Sequence, residues 1–443
     1  KPVVAVKSGA SDGARAAAVS HTGALAGSDA GAQALFDRLG IARVEMPAEF
    51  LETLKLLHAV GPLPSNQIGV LSSSGGEAGL MADAVLHRAL DCPPLTDAQR
   101  DKLRTALGPE VALANPLDYH TYIWGDREAL ASCFAAMLAP HIALGVAILD
   151  FPRPDRCDAS DWEIVIDAAA DAVTATGVPM AILSSLTETL PEATAQNMLA
   201  RGIVPLCGFA EGLAAIEAAA KLGSARAAPT PVLVPKGEPV SPCLLTEAEA
   251  KERLARFGLA SPDGCIAASP TEAGQAAAAL GFPVVLKSLG IAHKTEAGAV
   301  ALKLGDVGEV EAEAARMGGT SYLVEEMVAD GVAELLVGVV RDPAHGFVLT
   351  LGAGGTLTEL MADTVSLLLP ASEAEIDPAL DRLRIAPLLR GYRGAPAADR
   401  QALLMAIVAV QDFAVAHAAE LAEVEVNPLI VTPDRAVAAD ALI

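Results

Sequence analysis

The sequence predicts a parallel α/β architecture followed by a separate α+β domain, and two observations support this prediction. Between residues 65 and 223, short continuous apolar runs alternate with helical stretches, a pattern typical of a parallel sheet that is buried on both faces. Beyond a proline-rich segment, two capped helices precede closely spaced strands and a late strand pair, which is typical of an α+β domain. A chain of 443 residues has room for about three domains.

Residues 1–64 form the first expected domain, in the order strand, loop, helix, strand, helix. The chain begins with an apolar strand, and Ser28 can cap a helix that ends near Leu39. Residues 41–45 are a short apolar strand, and residues 48–60 have apolar side chains at helical spacing. Two strands cannot cover these helices, so we expect this piece to be the C-terminal half of a parallel domain with further residues upstream.

Residues 65–223 form the second expected domain. The predicted strands are 68–71, 145–149, 179–183 and 203–206, and the predicted helices are 77–90, 127–139, 161–176, 192–201 and 210–222. Residues 224–243 then contain prolines at positions 229, 231, 235, 239 and 242. Such a segment favours extended structure, which indicates an interdomain linker.

Residues 244–443 form the third expected domain. Thr246 with Glu249, and Ser269 with Glu272, are the capping signatures of two helices that end near residues 257 and 280. The predicted strands are 283–288, 298–303, 321–327, 333–340, 346–351, 423–431 and 435–440, and the other predicted helices lie near 371–385 and 398–419.

The composition narrows the class of protein. Hydrophobic residues make up 52% of the chain and charged residues 19%, which indicates a folded globular protein. The formal net charge of −24 disfavours nucleic acid and anionic membranes as partners, and no apolar run reaches the ~20 residues that span a bilayer. The six cysteines are scattered without a CxxC pair, so we expect free thiols and a cytoplasmic location.

One histidine is the candidate catalytic group. His21 lies between Ser20 and Thr22 in a loop rich in Gly, Ser and Ala that follows a strand, so its imidazole can be approached closely. A neutral imidazole is a competent nucleophile toward a phosphoryl group near neutral pH. We predict that His21 carries phosphate; the alternative is a loop histidine without a chemical role.

A glycine-rich turn is the first candidate phosphate site. Residues 71–79, Leu-Ser-Ser-Ser-Gly-Gly-Glu-Ala-Gly, follow a strand and open a helix. Free N–H groups at such a helix start bind anions, so the candidates are Ser73, Ser74, Gly75 and Gly76. The segment lacks the lysine of a P-loop, and an ordinary strand-to-helix turn is the alternative.

The third domain offers a second phosphate site with features of a nucleotide pocket. A lysine ends one strand, a loop histidine lies beside another lysine, and an apolar strand leads into Glu-Glu-Met, which can offer backbone groups to an adenine and a carboxylate to a ribose. A Gly-Ala-Gly-Gly loop permits close backbone approach. The candidates are Lys287, His293, Glu325, Glu326, Met327, Glu334 and Gly354.

A metal site is predicted near the C-terminus. In residues 423–428, Glu-Val-Glu-Val-Asn-Pro, period-two alternation puts Glu425 and Asn427 on one strand face, and Asp440 lies on the following strand. Carboxylate and amide oxygens suit Mg²⁺ held between protein and nucleotide phosphates. Polar residues on an edge hairpin are the alternative.

Several motifs, and their order along the chain, resemble those of the NDP-forming acyl-CoA synthetase superfamily. This superfamily includes the ADP-forming acetyl-CoA synthetases and succinyl-CoA synthetase. The motifs are KPVVAVKSG and SHTGAL within residues 1–25, SSSGGEAGLMAD at 72–83, NPLD at 115–118, HKTEAG at 293–298, VEEM at 324–327, LLRGYRG at 388–394 and EVEVNPL at 423–429. The resemblance covers nearly the whole chain. It implies flavodoxin-like α/β domains, the first incomplete, followed by an ATP-grasp domain.

The resemblance implies a reaction in which a carboxylic acid, coenzyme A and ATP give acyl-CoA, ADP and phosphate through an acyl phosphate and a phosphohistidine. His21 would be the phosphorylated residue, and the helix start at residues 74–79 would hold its phosphoryl group at the acyl site. At the nucleotide site, Glu425 would steady the histidine, while Asn427 and Asp440 would bind Mg²⁺.

The same resemblance implies roles for the remaining candidates. Lys287 would hold ATP phosphates, residues 325–327 would meet the adenine, and Glu334 would meet the ribose. His293 matches a second histidine that can serve as a relay.

The family pattern includes a CoA-binding domain, half of the His domain and a supporting glutamate upstream of the equivalent of Lys1. We therefore expect this chain to lack ligase activity alone and to act as a homo-oligomer or with a CoA-binding portion. The alternative is a non-catalytic nucleotide- or acyl-CoA-sensing module of a protein lysine acetyltransferase. The presence of His21, Glu425, Asn427 and Asp440 favours the enzyme.

An aromatic cluster bears on the substrate. Residues 118–125, Asp-Tyr-His-Thr-Tyr-Ile-Trp-Gly, hold two of the four tyrosines and one of the two tryptophans. In so aromatic-poor a chain, Tyr122 and Trp124 suggest a pocket wall for an aromatic or cationic acid. A buried aromatic anchor for the loop is the alternative.

Overall fold

The computed structural model describes residues 1–11, 13–14, 27–153, 155–224, 229–235, 243–289, 299–355 and 358–443. Its contacts divide the chain into two compact units. The first comprises Lys1–Ser8 and Leu39–Pro229, and the second comprises Gly9–Arg38 and Thr230–Ile443. His21 and His293 lie outside the described residues, so both remain predictions.

The N-terminal elements are β1 (Val4–Val6), α1 (Asp29–Leu39), β2 (Ala42–Val44) and α2 (Pro47–Ala59). Strands β1 and β2 pair in parallel, with Val4 opposite Ala42. The predicted cap of α1 is confirmed, because the Ser28 Oγ accepts a hydrogen bond from the Gly31 N–H at 3.0 Å. Helix α1 belongs to the second unit, whereas β1, β2 and α2 belong to the first.

The first unit is built around a five-stranded parallel sheet. Its strands are β3 (Ile68–Ser72), β4 (Leu117–Asp118), β5 (Leu144–Ile148), β6 (Met180–Ser184) and β7 (Val204–Cys207), in the spatial order β4-β3-β5-β6-β7. Every residue of β3, β5 and β6 is buried, because helices cover both faces of the sheet. The prediction of a parallel sheet buried on both faces is confirmed.

The helices that follow in this unit are α3 (Gly75–Val85), α4 (Asp97–Leu107), α5 (Arg127–Met137), α6 (Ser160–Thr176), α7 (Glu192–Ala200) and α8 (Phe209–Gly223). Helix α4 was not predicted. It begins at a capping box formed by Thr96 and Gln99, but buries only Gln99 and Leu103, so its sequence has too few apolar residues to show a helical period.

The second unit contains two antiparallel sheets. Their strands are β8 (Gly264–Ala267), β9 (Val284–Ser288), β10 (Val300–Leu304), β11 (Tyr322–Glu326), β12 (Ala333–Asp342), β13 (Gly346–Ala353), β14 (Thr364–Leu368), β15 (Glu423–Val431), β16 (Ala436–Ala438) and β17 (Ala441–Leu442). The orders are β10-β9-β11-β8 and β14-β13-β12-β15-β16, with β17 also paired to β15. The α+β prediction for this part is confirmed.

The helices of this part are α9 (Glu247–Ala255), α10 (Pro270–Leu280), α11 (Val307–Met317), α12 (Thr358–Met361), α13 (Glu373–Leu380), α14 (Ala386–Leu389) and α15 (Arg400–Ala416). Helix α15 packs into the core beneath β12, β13 and β15. Helix α1 packs through Ala34 and Leu35 on Val348 and Leu368. Within the described ranges, no helix has both the length and the apolar composition needed to cross a bilayer.

Candidate nucleotide and phosphate sites

The C-terminal strand β15 has the two-sided character that the sequence predicts. Val424 and Val426 are fully buried, whereas Glu425 and Asn427 alternate with them and are partly exposed. Successive side chains of a strand point to opposite faces, so Glu425 and Asn427 share the accessible face.

An irregularity in the pairing of β12 with β15 occurs at this position. Between two successive paired positions, β12 has one residue, Leu336, whereas β15 has two, Asn427 and Pro428. Such a bulge bends the strand locally and redirects the side chain at that point. The irregularity therefore bends β15 locally at Asn427.

The glycine loop after β13 packs directly on this part of the sheet. The Gly354 N–H donates to the backbone oxygen of Glu334 at 2.9 Å, and the Gly355 N–H donates to Oδ1 of Asn427 at 2.9 Å. Gly355 has φ of +78°, and a Cβ there would collide with Oε2 of Glu334. The positive φ favours glycine at position 355, and the loop there lies between Glu334 and Asn427.

Glu425 is in an electrostatically strained position. Burial raises the pKa of Glu425 above its ordinary value, and the charges of Glu423 and Asp440 raise it further, while a hydrogen bond from Asn427 opposes the shift. The N–H of Asn427 also donates to the backbone oxygen of Asp440 at 3.2 Å. The structure thus brings together Glu425, Asn427 and Asp440, and a cation there would relieve the repulsion that Glu423 and Asp440 exert on Glu425.

The oxygen donors of this cluster fit Mg²⁺. Within the part of the chain that the structure describes, no three His, Cys, Asp or Glu side chains form a ready metal cage. Mg²⁺ is commonly held by one or two carboxylates together with substrate phosphates. Asn427 and Asp440 would hold such an ion, and it would neutralise phosphate charge when bound.

Lys287 belongs to a buried network of four charged side chains. The carboxylate of Glu247 lies 2.7 Å from both Lys251 and Lys287, and that of Glu325 lies 2.6 Å from Lys251 and 2.9 Å from Lys287. All four side chains are at least nine-tenths buried. The two carboxylates outweigh the effect of burial and raise the pKa of Lys287, so Lys287 stays charged.

The third partner of Lys287 connects this network to the metal candidates. Its ammonium also donates to the backbone oxygen of Ala439, the neighbour of Asp440. An ammonium has three donors, and Glu247, Glu325 and Ala439 accept from it in this structure. A phosphate oxygen would have to replace one of them.

The predicted adenine segment is already engaged within the protein. Glu325 faces the buried lysines, whereas Glu326 accepts from Arg435 at 3.0 Å. The N–H of Glu326 donates to the Asp263 oxygen at 2.9 Å, and that of Met327 donates to the Pro283 oxygen at 3.2 Å. Because these groups already have partners within the protein, the binding of adenine by residues 325–327 stays a prediction.

In the first unit, the turn from β3 into α3 has the geometry of a capped helix start. Ser74 is the N-cap, its N–H donates to the Ser72 Oγ at 2.9 Å, and the Ser72 Oγ donates to Glu77 at 2.7 Å. Gly75 and Gly76 are exposed. Their N–H groups point outward from the positive end of the helix, while the Glu77 carboxylate offsets part of that field.

The edge strand β4 supports this turn. Tyr119 donates its backbone N–H to the Ser72 oxygen at 2.9 Å and shares a side-chain hydrogen bond with Ser73. A Cβ added at Gly75 would lie 2.9 Å from Oδ2 of Asp118. Burial raises the pKa of Tyr119 well above its ordinary value, so its hydroxyl remains neutral.

Three of the residues in these sites were missed from the sequence. Glu247 and Lys251 lie four positions apart on a helix, a spacing also typical of solvent-exposed ion pairs, so nothing in the pattern marked them as buried. Asp118 stood in a quoted motif without a role. It is the last residue of the two-residue strand β4, which was not predicted, so its place in the Asn-Pro-Leu-Asp motif was the available signal.

Comparisons with known proteins agree with this architecture. Residues 242–443 match the family model of an ATP-grasp domain, and residues 1–57 match that of a succinyl-CoA ligase-like flavodoxin domain. The β subunit of an ADP-forming acetate–CoA ligase I from Pyrococcus furiosus is 30% identical over 44% of this chain and 90% of its own length.

Two longer relatives match almost the entire chain. A trans-feruloyl-CoA synthase from an unknown prokaryotic organism is 30% identical over 98% of this chain and 63% of its own length. An ADP-forming 4-hydroxybutyrate–CoA ligase from Nitrosopumilus maritimus is 30% identical over 97% of this chain and 64% of its own length. The chain therefore spans less than two thirds of the length of these relatives.

Proposed function

Because this chain belongs to the family of NDP-forming acyl-CoA synthetases, we propose that it supplies the nucleotide-handling and histidine-carrying part of an ADP-forming acid–CoA ligase. The observation that supports this most directly is the cluster of Glu334, Gly355, Glu425, Asn427 and Asp440 in one place of the second unit. A carboxylate, an amide and a tight glycine loop converge there, as binding of a nucleotide with its cation requires.

The first chemical step is phosphoryl transfer to His21. A ring nitrogen of His21 attacks the γ-phosphorus of ATP, the bond from that phosphorus to the β-phosphate bridging oxygen breaks, and ADP leaves. The other ring nitrogen keeps its proton, and Glu425 accepts that N–H. A carboxylate in this position fixes the tautomer and stabilises the developing imidazolium charge.

Lys287 binds ATP by exchanging one of its hydrogen-bond acceptors for a phosphate oxygen. Its two carboxylate partners carry full charge, whereas the Ala439 oxygen is a neutral acceptor. A phosphate oxygen replaces Ala439 more readily than it replaces Glu247 or Glu325, since charged acceptors make the stronger hydrogen bonds. Lys287 then contacts ATP while remaining paired, and Glu334 and residues 325–327 meet the ribose and the adenine. His293 serves as a relay histidine.

The second step takes the phosphoryl group to the acid. The N–H groups at Ser73, Gly75 and Gly76 bind the phosphoryl oxygens, and the N–H of Ser74 joins them only if it leaves the Ser72 hydroxyl. The substrate carboxylate attacks phosphorus to give an acyl phosphate and free histidine. Attack by the CoA thiolate on the acyl carbon then releases phosphate. Relatives in this family include separate α and β subunits of acetate–CoA ligase, and we propose that a CoA-binding portion completes the reaction here.

The test is isotope exchange between ADP and ATP in the absence of acid and CoA. A phosphohistidine intermediate lets the full chain with Mg²⁺ convert labelled ADP to labelled ATP, and His21→Ala abolishes this exchange. A chain that binds ADP tightly without any exchange would instead support the sensing module of a lysine acetyltransferase.

A further inference from the structure

We propose that Tyr122 and His120 form a ring platform that binds the aromatic body of the carboxylic acid, which makes an aryl-bearing acid the substrate class. The inference rests on the proposed function, in which acyl phosphate chemistry occurs at the turn formed by residues 73–76. It assigns a specificity role to residues for which the family resemblance implied none.

The platform is an exposed pair of stacked rings. The Tyr122 side chain is 74% exposed and stacks on His120, with ring centroids 5.3 Å apart and planes inclined by 28°. By contrast, Tyr119 and Tyr322 are fully buried. A broad ring face held open by stacking on its other side is preorganised for a third planar group.

The backbone of His120 is held in an unfavourable conformation. Its φ is +57°, in the left-handed region that is unfavourable for a residue other than glycine. The Asp118 carboxylate maintains it, because Oδ1 accepts the His120 N–H at 2.9 Å and Oδ2 lies 3.7 Å from the imidazole Nδ1. Strain of this kind persists where surrounding contacts enforce it, and it concentrates at functional sites.

The same carboxylate joins the platform to the phosphate turn. Oδ2 of Asp118 lies so close to Gly75 that an added Cβ would be 2.9 Å from it, and Tyr119 is hydrogen-bonded to Ser72 and Ser73. The same two residues, Asp118 and Tyr119, therefore contact the phosphate turn and lie next to the platform. An acid whose carboxylate reacts at the turn has its body directed along the loop that carries His120 and Tyr122.

Trp124, the other aromatic candidate, has a different role. It packs edge-on against Trp162, with centroids 5.2 Å apart and planes at 80°, and Trp162 donates its indole N–H to the Asp150 oxygen at 2.7 Å. Trp124 is thus a structural anchor of the loop, as the alternative interpretation stated. Of these two loop residues, Tyr122 is the one that presents an open ring face.

An aromatic acid suits this platform better than a cationic one. The Asp118 carboxylate is engaged by the backbone and ring of His120, so a ligand cation would have to compete with His120 for it. A conjugated ring gains from stacking on Tyr122 without this competition.

The test compares acids bound by the full 443-residue chain, with ligand-observed NMR titrations of trans-cinnamate, hexanoate and 4-aminobutyrate. Tyr122→Ala should weaken cinnamate binding about five- to tenfold, as loss of an aromatic stacking partner predicts, and should leave hexanoate unchanged. Tyr122→Phe should keep the affinity for cinnamate. Tyr392→Ala, which removes an exposed tyrosine elsewhere, is the matched control and should change nothing.

Equal weakening of cinnamate and hexanoate would overturn the proposal, as would an unchanged affinity in Tyr122→Ala. Tighter binding of 4-aminobutyrate than of cinnamate, or absence of cinnamate binding to the unaltered chain, would overturn it too. ADP–ATP exchange does not involve the acid. Its retention in Tyr122→Ala separates a failed platform from a failure of the ligase function.

Discussion

The backbone N–H of Ser28 donates a hydrogen bond to Oδ2 of Asp342 at 2.7 Å, although 314 positions separate the two residues. The other oxygen of Asp342 accepts the N–H groups of Ala344 and His345 and lies 2.9 Å from the His345 ring. Burial would raise the pKa of Asp342, but the hydrogen bonds from Ser28 and Ala344 outweigh it and hold this pKa below its ordinary value.

This contact limits where His21 can go. Ser28 is anchored on the turn between β12 and β13, in the unit that holds the nucleotide candidates. The seven-residue tether from Ser28 back to His21 spans at most about 25 Å when fully extended. The length of the chain therefore bounds the distance between His21 and the anchor at Asp342.

The first prediction concerns this anchor. Asp342→Asn weakens the acceptor for Ser28, and the local opening free energy of residues 27–38 should fall by about 1–2 kcal/mol. Hydrogen exchange measured by mass spectrometry should then be roughly 5–30-fold faster in that segment. Asp37→Asn weakens an exposed hydrogen bond from Gln33 and a 3.9 Å ion pair with Arg382, so it should change this exchange much less. Unchanged exchange in Asp342→Asn would show that the carboxylate does not hold the segment.

The pH dependence of this anchor has a definite sign. Because the folded protein lowers the pKa of Asp342, its contribution to stability is present above the ordinary value of 3.8 and is lost as pH falls through the folded value. The difference between the unaltered chain and Asp342→Asn should therefore shrink below about pH 4. A difference that grows on acidification would contradict the assignment.

The buried network of Glu247, Lys251, Lys287 and Glu325 predicts that removing one charge costs much stability, whereas removing an opposite pair costs less. Lys251→Met leaves the carboxylates of Glu247 and Glu325 with one cation between them, which should cost about 3–5 kcal/mol. Adding Glu247→Gln in the same chain should restore much of this loss, since the remaining pair is balanced. Urea unfolding measures both, and Arg253→Met, exposed on the same helix, is the control. A decrease in the free energy of unfolding of less than about 1 kcal/mol in Lys251→Met would contradict the existence of this buried network.

Glu425 should show a conflict between stability and function. Its raised pKa means that the charged form is disfavoured by folding, so stability decreases as pH rises through the ordinary and then the folded value. Glu425→Gln should raise the melting temperature of the nucleotide-free chain at pH 7 by about 1–3 °C, with no gain at pH 4. The same variant should lose ADP–ATP exchange. Glu420→Gln, exposed beyond α15, should change neither property.

The glycine loop provides a steric test of the nucleotide site. Gly355→Ala places a methyl group against the Glu334 carboxylate, whereas Gly318→Ala, at φ of +65°, meets open space. Both substitutions should cost about 1–2 kcal/mol through backbone strain. Only Gly355→Ala should also weaken Mg-ADP binding, by tenfold or more in calorimetric titration. Equal ADP affinity in the two variants would place the nucleotide elsewhere.

Periodicity was sufficient for much of the architecture. The buried runs of β3, β5 and β6 and the alternation of Glu425 with Val426 follow directly from how strands expose their faces. Helices α4 and α11 were both missed, because each buries only two residues and so leaves too little of an apolar pattern.

Long-range pairings could not be obtained in this way. The contact of Ser28 with Asp342 and the burial of Lys251 depend on which distant elements meet, and a single sequence holds no local sign of that. Tyr122 and Trp124 could not be distinguished from the sequence for the same reason. Only the contact of Trp124 with the distant Trp162 shows that Trp124 anchors the loop, whereas Tyr122 stays exposed.

The most direct test of the account is the identity of the phosphorylated residue. After incubation of the full chain with γ-labelled ATP and Mg²⁺, we expect an acid-labile, base-stable phosphoprotein whose label maps to His21. His21→Asn should abolish the label and His293→Asn should retain it. Label that persists in His21→Asn, or a chain that binds ADP but is never labelled, would contradict the central claim that His21 carries the phosphoryl group.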